Sequence, residues 1–159
     1  LQKVIDLENK HVALIGAGGA ARAACYALNK VGAKTTIFNR TATKAKSLAQ
    51  EWGAEARPLS DLTQLAHFDV VVNASSLGMQ GSESNIKISD SVWGPDKVVM
   101  DMVYRPHETD FLKKAALSGS KIVHGIEMLL YQGMEQFKMF TGYDAPALDM
   151  QQSLMKEII

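Results

Sequence analysis

The sequence has a single cysteine, no net charge and no long apolar run. One cysteine excludes a disulfide within the chain and is typical of the reducing cytosol, so we expect a cytoplasmic protein. The 17 basic residues balance the 17 acidic ones, which argues against nucleic acid or an acidic membrane surface as a partner. No apolar run approaches about 20 residues, the length that a membrane-spanning helix needs, and no signal peptide is visible at the start.

Residues that bind metals or act as nucleophiles are also scarce. The histidines His11, His67, His107 and His124 lack the spacing of a metal cluster, so we expect no metal site. A nucleophile elbow, a Walker motif and a Cys-x-x-Cys pair are all missing from the sequence. The cysteine, Cys25, lies among alanines of a predicted helix and is expected to be a small core residue.

Short apolar or β-branched runs alternate with helical stretches along the chain. The predicted strands are residues 11–15, 34–38, 55–57, 69–73, 97–101 and 121–123. The predicted helices are residues 1–9, 19–31, 42–52, 60–66, 109–117, 127–140 and 146–159, and Ser82, Ser84, Asn85 and Ser89 mark a loop. This alternation predicts one α/β domain, a Rossmann-like doubly wound parallel sheet of about six strands with helices on both faces.

A glycine-rich turn, Gly16-Ala17-Gly18-Gly19-Ala20, follows the first predicted strand and precedes an alanine-rich helix start. In this context a glycine pattern is a dinucleotide-binding fingerprint, because Gly16 can make the tight turn and Gly18 lets a pyrophosphate approach the backbone. The free N–H groups at the helix start would then face the anion. Ala21 occupies the third position of the fingerprint, where Gly or Ala is usual.

The end of the second predicted strand carries Asn39, Arg40, Thr41 and Lys44. NAD-binding domains usually place an acidic residue there to hold the ribose 2′-hydroxyl. A carboxylate would repel a 2′-phosphate, whereas the Arg40 guanidinium can bind it through paired hydrogen bonds and Lys44 adds charge. The alternative is that Thr41 is only a helix N-cap and Arg40 a solvated surface charge. At this distance from the glycine turn, the pattern favours NADP as the cofactor.

Other candidate site residues lie in the loops after the fourth and fifth strands and in the long helix. Residues 73–79 lie near the ribose and nicotinamide, since open α/β sheets bind ligands at the carboxyl ends of strands, or they form a plain loop. Met102 can pack on the nicotinamide and Tyr104 can point into the cleft; alternatively, Met102 is in the core and Tyr104 half-buried. Gln132 lies beside an apolar helical stripe, where a substrate group or a backbone group would satisfy its amide.

Taken in order, these motifs resemble the C-terminal NADP-binding domain of the shikimate dehydrogenase family. The resemblance rests on G-A-G-G-A-A-R at 16–22, N-R-T at 39–41, N-A-S at 73–75, D-M-V-Y-R-P at 101–106 and G-I-E-M-L-L-Y-Q at 125–132. It covers nearly the whole chain. It implies the NADPH-dependent, reversible reduction of 3-dehydroshikimate to shikimate in aromatic amino-acid biosynthesis.

The resemblance also implies a role for each matched residue. The pyrophosphate would be bound by Gly16, Ala17, Gly18, Gly19 and Ala20, and the adenosine 2′-phosphate by Asn39, Arg40, Thr41 and Lys44. Met102 and Gly125 would border the nicotinamide, and Tyr104 and Gln132 would touch the substrate. The family's catalytic Lys–Asp pair has no match, so no catalytic residue is expected in this chain.

The chain opens on Leu1 rather than methionine, in a stretch typical of a helix tail. We therefore expect a longer polypeptide whose N-terminal substrate domain carries the Lys–Asp pair, and an isolated chain that is inactive. The apolar stripe of the last helix, with Leu148, Leu154, Ile158 and Ile159, would dock on that domain or pair with a neighbour, so a homodimer stays open. Two alternative functions also stay open, a quinate/shikimate dehydrogenase of broader specificity and a non-catalytic NADP-sensing module.

Overall fold

The computed structural model of the chain describes residues 1–81 and 88–158. Its strands are β1 (His11–Ile15), β2 (Lys34–Asn39), β3 (Glu55–Pro58), β4 (Val70–Asn73), β5 (Val98–Asp101) and β6 (Lys121–Val123). They form one sheet in the order β3-β2-β1-β4-β5-β6, and every neighbouring pair is parallel. The predicted doubly wound sheet is therefore confirmed. The loop assignment of Ser82, Ser84 and Asn85 and the stripe position of Ile159 lie outside the described residues.

Helices connect the strands, and two further helices follow the last strand. They are α1 (Gly19–Lys30), α2 (Ala42–Trp52), α3 (Asp110–Leu117), α4 (Gly125–Thr141) and α5 (Ala147–Ile158), with 3₁₀ helices at Leu59–His67 and Asp90–Val92. Their bounds lie close to the predicted ones, except that the stretch expected as a helix at 60–66 is 3₁₀. Within residues 1–81 and 88–158, no helix is long and apolar enough to cross a membrane.

The N-terminal stretch departs from the prediction. The sequence predicts a helix over residues 1–9, but the structure has a turn in which Val4 and Ile5 both donate to the carbonyl of Leu1. Asn9 then adopts a positive φ of 59°, which lies outside the right-handed helical region. The helix prediction for this stretch is therefore wrong.

Apolar side chains of the central strands alternate between the two faces of the sheet. Val12 and Leu14 of β1 pack in one core layer with residues of α1 and α2, whereas Ala13 and Ile15 pack in the other with residues of α3. Because both faces of such a parallel strand are buried, its sequence is a continuous apolar run. Cys25 of α1 lies in the first layer, where burial raises the pKa of its thiol to about 11, so its prediction as a core residue is confirmed.

The order of the strands reverses at β1, which lies between β2 and β4. Ile15, the last residue of β1, is paired with Phe38 on one side and with Asn73 on the other. Beyond this point the connections of β1 and β4 run to opposite sides and leave a crevice. Open α/β sheets bind their ligands at such a crevice.

At the opposite ends of β5 and β6, Ser120 joins two loops. Its buried hydroxyl donates to the carbonyl of Gly94 at 2.9 Å and accepts from the N–H of Gly94 at 3.2 Å. Ser120→Ala leaves both Gly94 groups without these bonds, so we expect it to lower the free energy of unfolding by about 1–3 kcal/mol. Urea denaturation measures this loss. Ser118→Ala is the control, because it removes a solvent-exposed hydrogen bond to the carbonyl of Lys114. Equal small losses for both variants, within about 0.5 kcal/mol, would contradict the expectation.

Candidate functional site

A cleft of about 770 Å³ opens at the carboxyl ends of the central strands. It brings together the predicted site residues Gly16, Ala17, Gly18, Gly19, Ala20, Asn39, Arg40, Thr41, Lys44, Met102 and Tyr104. The basic side chains of Arg40, Lys44 and Arg105 belong to its described lining, and no acidic side chain does. The cleft therefore has the electrostatic sign that suits an anionic ligand.

The glycine turn between β1 and α1 forms the floor of this cleft. Gly16 has a φ of +116°, and a Cβ there would lie 2.8 Å from the carbonyl oxygen of Ala74, so only glycine fits. Positions 18 and 19 differ, since a Cβ at Gly18 or Gly19 would meet no atom of the described residues within 4 Å. No side chain caps α1 and no acidic residue lies in its first turn. The positive end of the helix dipole thus faces open space in the cleft.

The basic side of the cleft is built where β2 ends and α2 begins. The Asn39 side chain donates to the carbonyl of Thr41 at 3.0 Å, which fixes the turn between strand and helix. Thr41 occupies the N-cap position of α2, yet its side chain makes no capping hydrogen bond. Arg40 and Lys44 are exposed, and neither pairs with an acidic side chain elsewhere in the described ranges. The interpretation of Thr41 as only an N-cap therefore lacks the hydrogen bond that it requires.

The loops after β4 and β5 meet through buried polar side chains. Asn73 and Asp101 are the last residues of their strands and are paired in the sheet register, and both are fully buried. The side-chain amide of Asn73 donates to Asp101 Oδ1 at 2.9 Å, and the hydroxyl of Thr109 donates to Asp101 Oδ2 at 2.6 Å. Burial raises the pKa of Asp101, and hydrogen bonds from Thr109, Val103 and Asn73 oppose that shift.

This network was not predicted from the sequence, although Asp101 opens the D-M-V-Y-R-P motif at 101–106. The available signal was that two fully apolar strands, 70–72 and 98–100, each end on a polar residue. Such residues at the same end of neighbouring parallel strands lie side by side. Thr109 gave no signal, because its role depends on how the chain folds back after β5.

The loop after β5 carries two of the predicted site residues and contacts a third. Met102 is partly buried against the core and also lines the cleft, so a position in the core and a position facing the cleft do not exclude each other. Tyr104 lines the cleft with an exposure of 39%. Gly125 does not line the cleft: it is buried behind the loop, and a Cβ there would lie 2.5 Å from the carbonyl oxygen of Val103. Gly125 thus supports the loop from behind.

Gln132 lies in a second, neighbouring groove. This groove of about 750 Å³ runs between α1 and α4, and its lining is mostly apolar with Met128, Tyr131 and Gln132 from α4. Gln132 is exposed, and its side chain bonds to no other residue in the part of the chain that the structure describes, so the alternative in which the backbone satisfies a buried amide is wrong. Met102 lines both the groove and the cleft. The two spaces are therefore contiguous at this residue.

His107, in the loop after β5, stacks on His124, which lies between β6 and α4. The rings of His107 and His124 lie 4.4 Å apart with an interplanar angle of 6°. Within the described ranges, His107 Nδ1 is buried without a hydrogen-bond partner, and His124 is the N-cap residue of α4 and makes no side-chain capping bond. Burial lowers the pKa of His124, and the neighbouring His107 lowers it further. Among the described residues no three His, Cys, Asp or Glu side chains are grouped as a metal site.

Another cavity lies at the opposite, amino-terminal edge of the sheet. It measures about 550 Å³ and includes His11, Lys34, Trp52 and His67 in its lining. Its lining contains none of the predicted site residues. Parallel sheets of this type bind ligands at the other edge, so the cleft remains the better candidate.

Comparison with known proteins identifies one family. The family model for shikimate/quinate 5-dehydrogenase matches residues 1–84, and the model for the shikimate 5′-dehydrogenase C-terminal domain matches residues 125–155. A shikimate dehydrogenase (NADP(+)) of Syntrophobacter fumaroxidans is 42% identical over 149 residues, which are 92% of this chain and 52% of the relative. The chain thus spans about half the length of the curated relatives it matches.

Solved structures share the fold of this chain. Shikimate 5-dehydrogenase of Thermus thermophilus, in complex with NADP(H) and shikimate, is 31% identical with a TM-score of 0.84, over 98% of this chain and 57% of that one. Quinate dehydrogenase of Corynebacterium glutamicum, in complex with NAD, is 27% identical with a TM-score of 0.88, over 98% of this chain and 58% of that one. Both likenesses extend over the cleft and the groove.

The stacked histidines predict a pH dependence of stability. The pKa of His124 lies below its ordinary value of 6.5 in the native state, while the carboxylates of Glu108 and Glu127 oppose the shift. His124 therefore binds a proton more readily in the unfolded chain than in the native one. Above pH 6.5 the ring is neutral in both states and causes no loss of stability. As the pH falls from 6.5 toward the native pKa, protonation of the unfolded chain lowers the free energy of unfolding. Urea denaturation between about pH 7.5 and 5 should show a shallower loss for His124→Asn than for the unchanged chain. An equal slope would contradict the expectation, and His67→Asn provides the exposed-histidine control.

Proposed function

Since this chain belongs to the shikimate/quinate 5-dehydrogenase family, we propose that it is the NADP-binding part of a shikimate dehydrogenase, which reduces 3-dehydroshikimate reversibly to shikimate with NADPH. The observation that carries the proposal is the cleft at the reversal of strand order, where a glycine turn faces Arg40 and Lys44. The Syntrophobacter relative, a shikimate dehydrogenase (NADP(+)), supports the same cofactor and substrate.

The floor of the cleft suits a pyrophosphate. Gly16 makes the tight turn, and the open space over Gly18 and Gly19 lets phosphate oxygens approach the backbone. The uncapped N–H groups of the first turn of α1 donate to them, with Ala17 and Ala20 completing the lining. A side chain at position 18 or 19 would project into this space and displace the anion.

The basic end of the cleft suits the adenosine 2′-phosphate. Arg40 presents paired donors, Lys44 adds a point charge, and the Thr41 hydroxyl is free of a capping bond. Asn39 holds the turn and places no carboxylate where the 2′-phosphate would lie. These groups favour NADP over NAD, because a 2′-hydroxyl offers Arg40 no charge to bind.

The opposite end of the cleft suits the reacting groups. When bound there, the nicotinamide supplies the hydride in one direction and accepts it in the other. Met102 forms an apolar wall beside it, and Gly125 holds the loop of Met102 in place. Tyr104 and Gln132 present a hydroxyl and an amide to the substrate from either side of Met102. Fixed positions of this kind lower the entropic part of the barrier.

A quinate/shikimate dehydrogenase of broader specificity is the second candidate. The likeness to the Corynebacterium quinate dehydrogenase, with a TM-score of 0.88, favours it. That neighbour was solved with NAD, whereas Arg40 and Lys44 in this chain favour NADP. A non-catalytic NADP-sensing module is less well supported, because it gives Tyr104 and Gln132 no function.

We further propose that the proton is exchanged by a Lys–Asp pair in an N-terminal substrate domain of the same polypeptide, in the cytoplasm. This domain covers the groove between α1 and α4 and the exposed apolar ends of α4 and α5. Large side chains exposed there by more than 70% are Met139, Phe140, Tyr143 and Leu148. Apolar surface of this kind marks an interaction site. A homodimer through the same surface is the alternative, and size-exclusion chromatography separates the two.

Removing the Arg40 guanidinium tests the cofactor assignment. Arg40→Ala should weaken NADPH binding about 10- to 100-fold, the loss expected for a charge-assisted bidentate contact, and leave NADH binding nearly unchanged. Fluorescence titration measures both affinities. Lys46→Ala, which removes an exposed charge of α2 outside the cleft, is the matched control. Equal losses for NADPH and NADH would mean that Arg40 does not bind the 2′-phosphate.

A second experiment tests the assignment of catalysis to another domain. The 159-residue chain should bind NADP⁺ but form no NADPH with shikimate or quinate, because the groups that exchange the proton are outside it. The full-length polypeptide should form NADPH with shikimate. Absorbance at 340 nm follows the reaction. Shikimate-dependent NADPH formation by the chain alone, above a blank without shikimate, would contradict the proposal.

A further inference from the structure

The Asp101 carboxylate does not line the cleft, yet it bonds to both loops that do. Its Oδ1 accepts hydrogen bonds from the side-chain amide of Asn73 at 2.9 Å and from the N–H of Val103 at 3.0 Å. Its Oδ2 accepts from the Thr109 hydroxyl at 2.6 Å. All of these partners are donors, so the ionised carboxylate, which only accepts, satisfies every one of them.

Through its hydrogen bond with Asn73, the Asp101 carboxylate fixes the conformation of the loop after β4. Because Asp101 accepts from the Asn73 amide nitrogen, the Asn73 oxygen must point away, toward Ser75. That oxygen accepts from the N–H of Ser75 at 3.1 Å and from its hydroxyl at 2.7 Å. The amide nitrogen also donates to the carbonyl of Leu77 at 3.1 Å. The orientation of one buried amide thus determines the course of residues 74–77.

This loop in turn contacts the glycine turn. The N–H of Ala74 donates to the carbonyl of Ile15 at 2.8 Å. The carbonyl oxygen of Ala74 lies where a Cβ on Gly16 would be 2.8 Å away. A displacement of the Ala74 backbone therefore reaches the floor of the cleft, since closely packed groups have no room to absorb it.

Through its hydrogen bond with the N–H of Val103, the Asp101 carboxylate also fixes the conformation of the loop after β5. The N–H of Val103 is held by Asp101, and the N–H of Met102 donates to the carbonyl of Asn73 at 2.9 Å. On its far side the loop packs against Gly125, whose Cβ would lie 2.5 Å from the Val103 carbonyl oxygen. Met102 and Val103 both line the cleft. Met102 and Val103 are thus held in place by the Asp101 carboxylate on one side and by the start of α4 on the other.

We propose that Asp101 is a positioning residue for the nicotinamide end of the cleft, which it holds in one geometry through Asn73 and Val103. The inference rests on the proposed function, that the cleft binds NADP. The adenosine end, at Arg40 and Lys44, lies on the other side of the glycine turn and has no bond to Asp101. Loss of the carboxylate should therefore weaken the two ends of the cofactor site unequally.

Asp101→Asn tests this assignment, because it keeps the shape of the side chain and removes its charge. An asparagine at this position turns its N–H₂ group toward one of the donors, so that donor loses the acceptor that the carboxylate provides. Two probes report on the two ends: NADP⁺ spans the cleft, and adenosine 2′-monophosphate, which has no 5′-phosphate to reach the glycine turn, occupies only the adenosine end. Calorimetric titration of the 159-residue chain measures both, under conditions where urea curves show each variant to be folded.

We expect Asp101→Asn to weaken NADP⁺ binding about tenfold, as for the loss of one charge-assisted hydrogen bond, and to change binding of the 2′-monophosphate less than about twofold. Ser120→Ala is the matched control: it removes a buried hydroxyl at the opposite end of the same strands and should change neither affinity. This contrast separates positioning from a general loss of stability. If Asp101→Asn does not fold, Thr109→Val removes the donor to Oδ2, and at least a threefold loss confined to NADP⁺ is then expected.

Three results would overturn the assignment or its premise. Unchanged NADP⁺ affinity in a folded Asp101→Asn would show that the carboxylate is only structural. Equal losses for NADP⁺ and adenosine 2′-monophosphate would show that the carboxylate does not act specifically on the nicotinamide end. If the unchanged chain binds neither probe, the proposed function itself fails, and that failure is visible before any variant is compared.

Discussion

The hydrogen bond between Asn73 and Asp101 joins the ends of the two strands on which the candidate site depends. Both side chains are fully buried, and burying polar groups is costly unless each one is bonded. Here the partners are supplied by Thr109, Val103 and Ser75. Any other course of the two loops would leave a buried donor or acceptor without a partner, so the network favours a single geometry.

Close packing at two glycines connects this hydrogen-bond network to the rest of the cleft. At Gly16 and at Gly125 the backbone of a neighbouring loop lies where a side chain would otherwise project. These close approaches connect the glycine turn and the start of α4 to the loops after β4 and β5. The end of the cleft proposed for the nicotinamide is thus closely packed, whereas Arg40 and Lys44, at the end proposed for the adenosine, are exposed to solvent. A rigid reacting end and a solvated anchoring end are what accurate positioning of a long anionic ligand requires.

Much of the fold could be predicted from the sequence, because local patterns determine it. The apolar runs at 12–15 and 70–72 indicate buried parallel strands, and the glycine turn indicates the ligand-binding edge of the sheet. The Thr109–Asp101 bond was not predictable, since it joins residues whose proximity depends on the path of a loop. The stretch at 1–9 was mispredicted for the opposite reason: its pattern is compatible with a helix, but the chain turns at Asn9.

The most direct test of the central claim, that NADP binds in the cleft between the strand ends, is an amide ¹H–¹⁵N spectrum of the chain titrated with NADP⁺. We expect the largest shift changes at residues 16–20, 39–44 and 73–76, which line the cleft or adjoin its lining. The amides around the other cavity, at His11 and Lys34, should barely change. Changes confined to that opposite edge of the sheet, or none at saturating NADP⁺, would contradict the account.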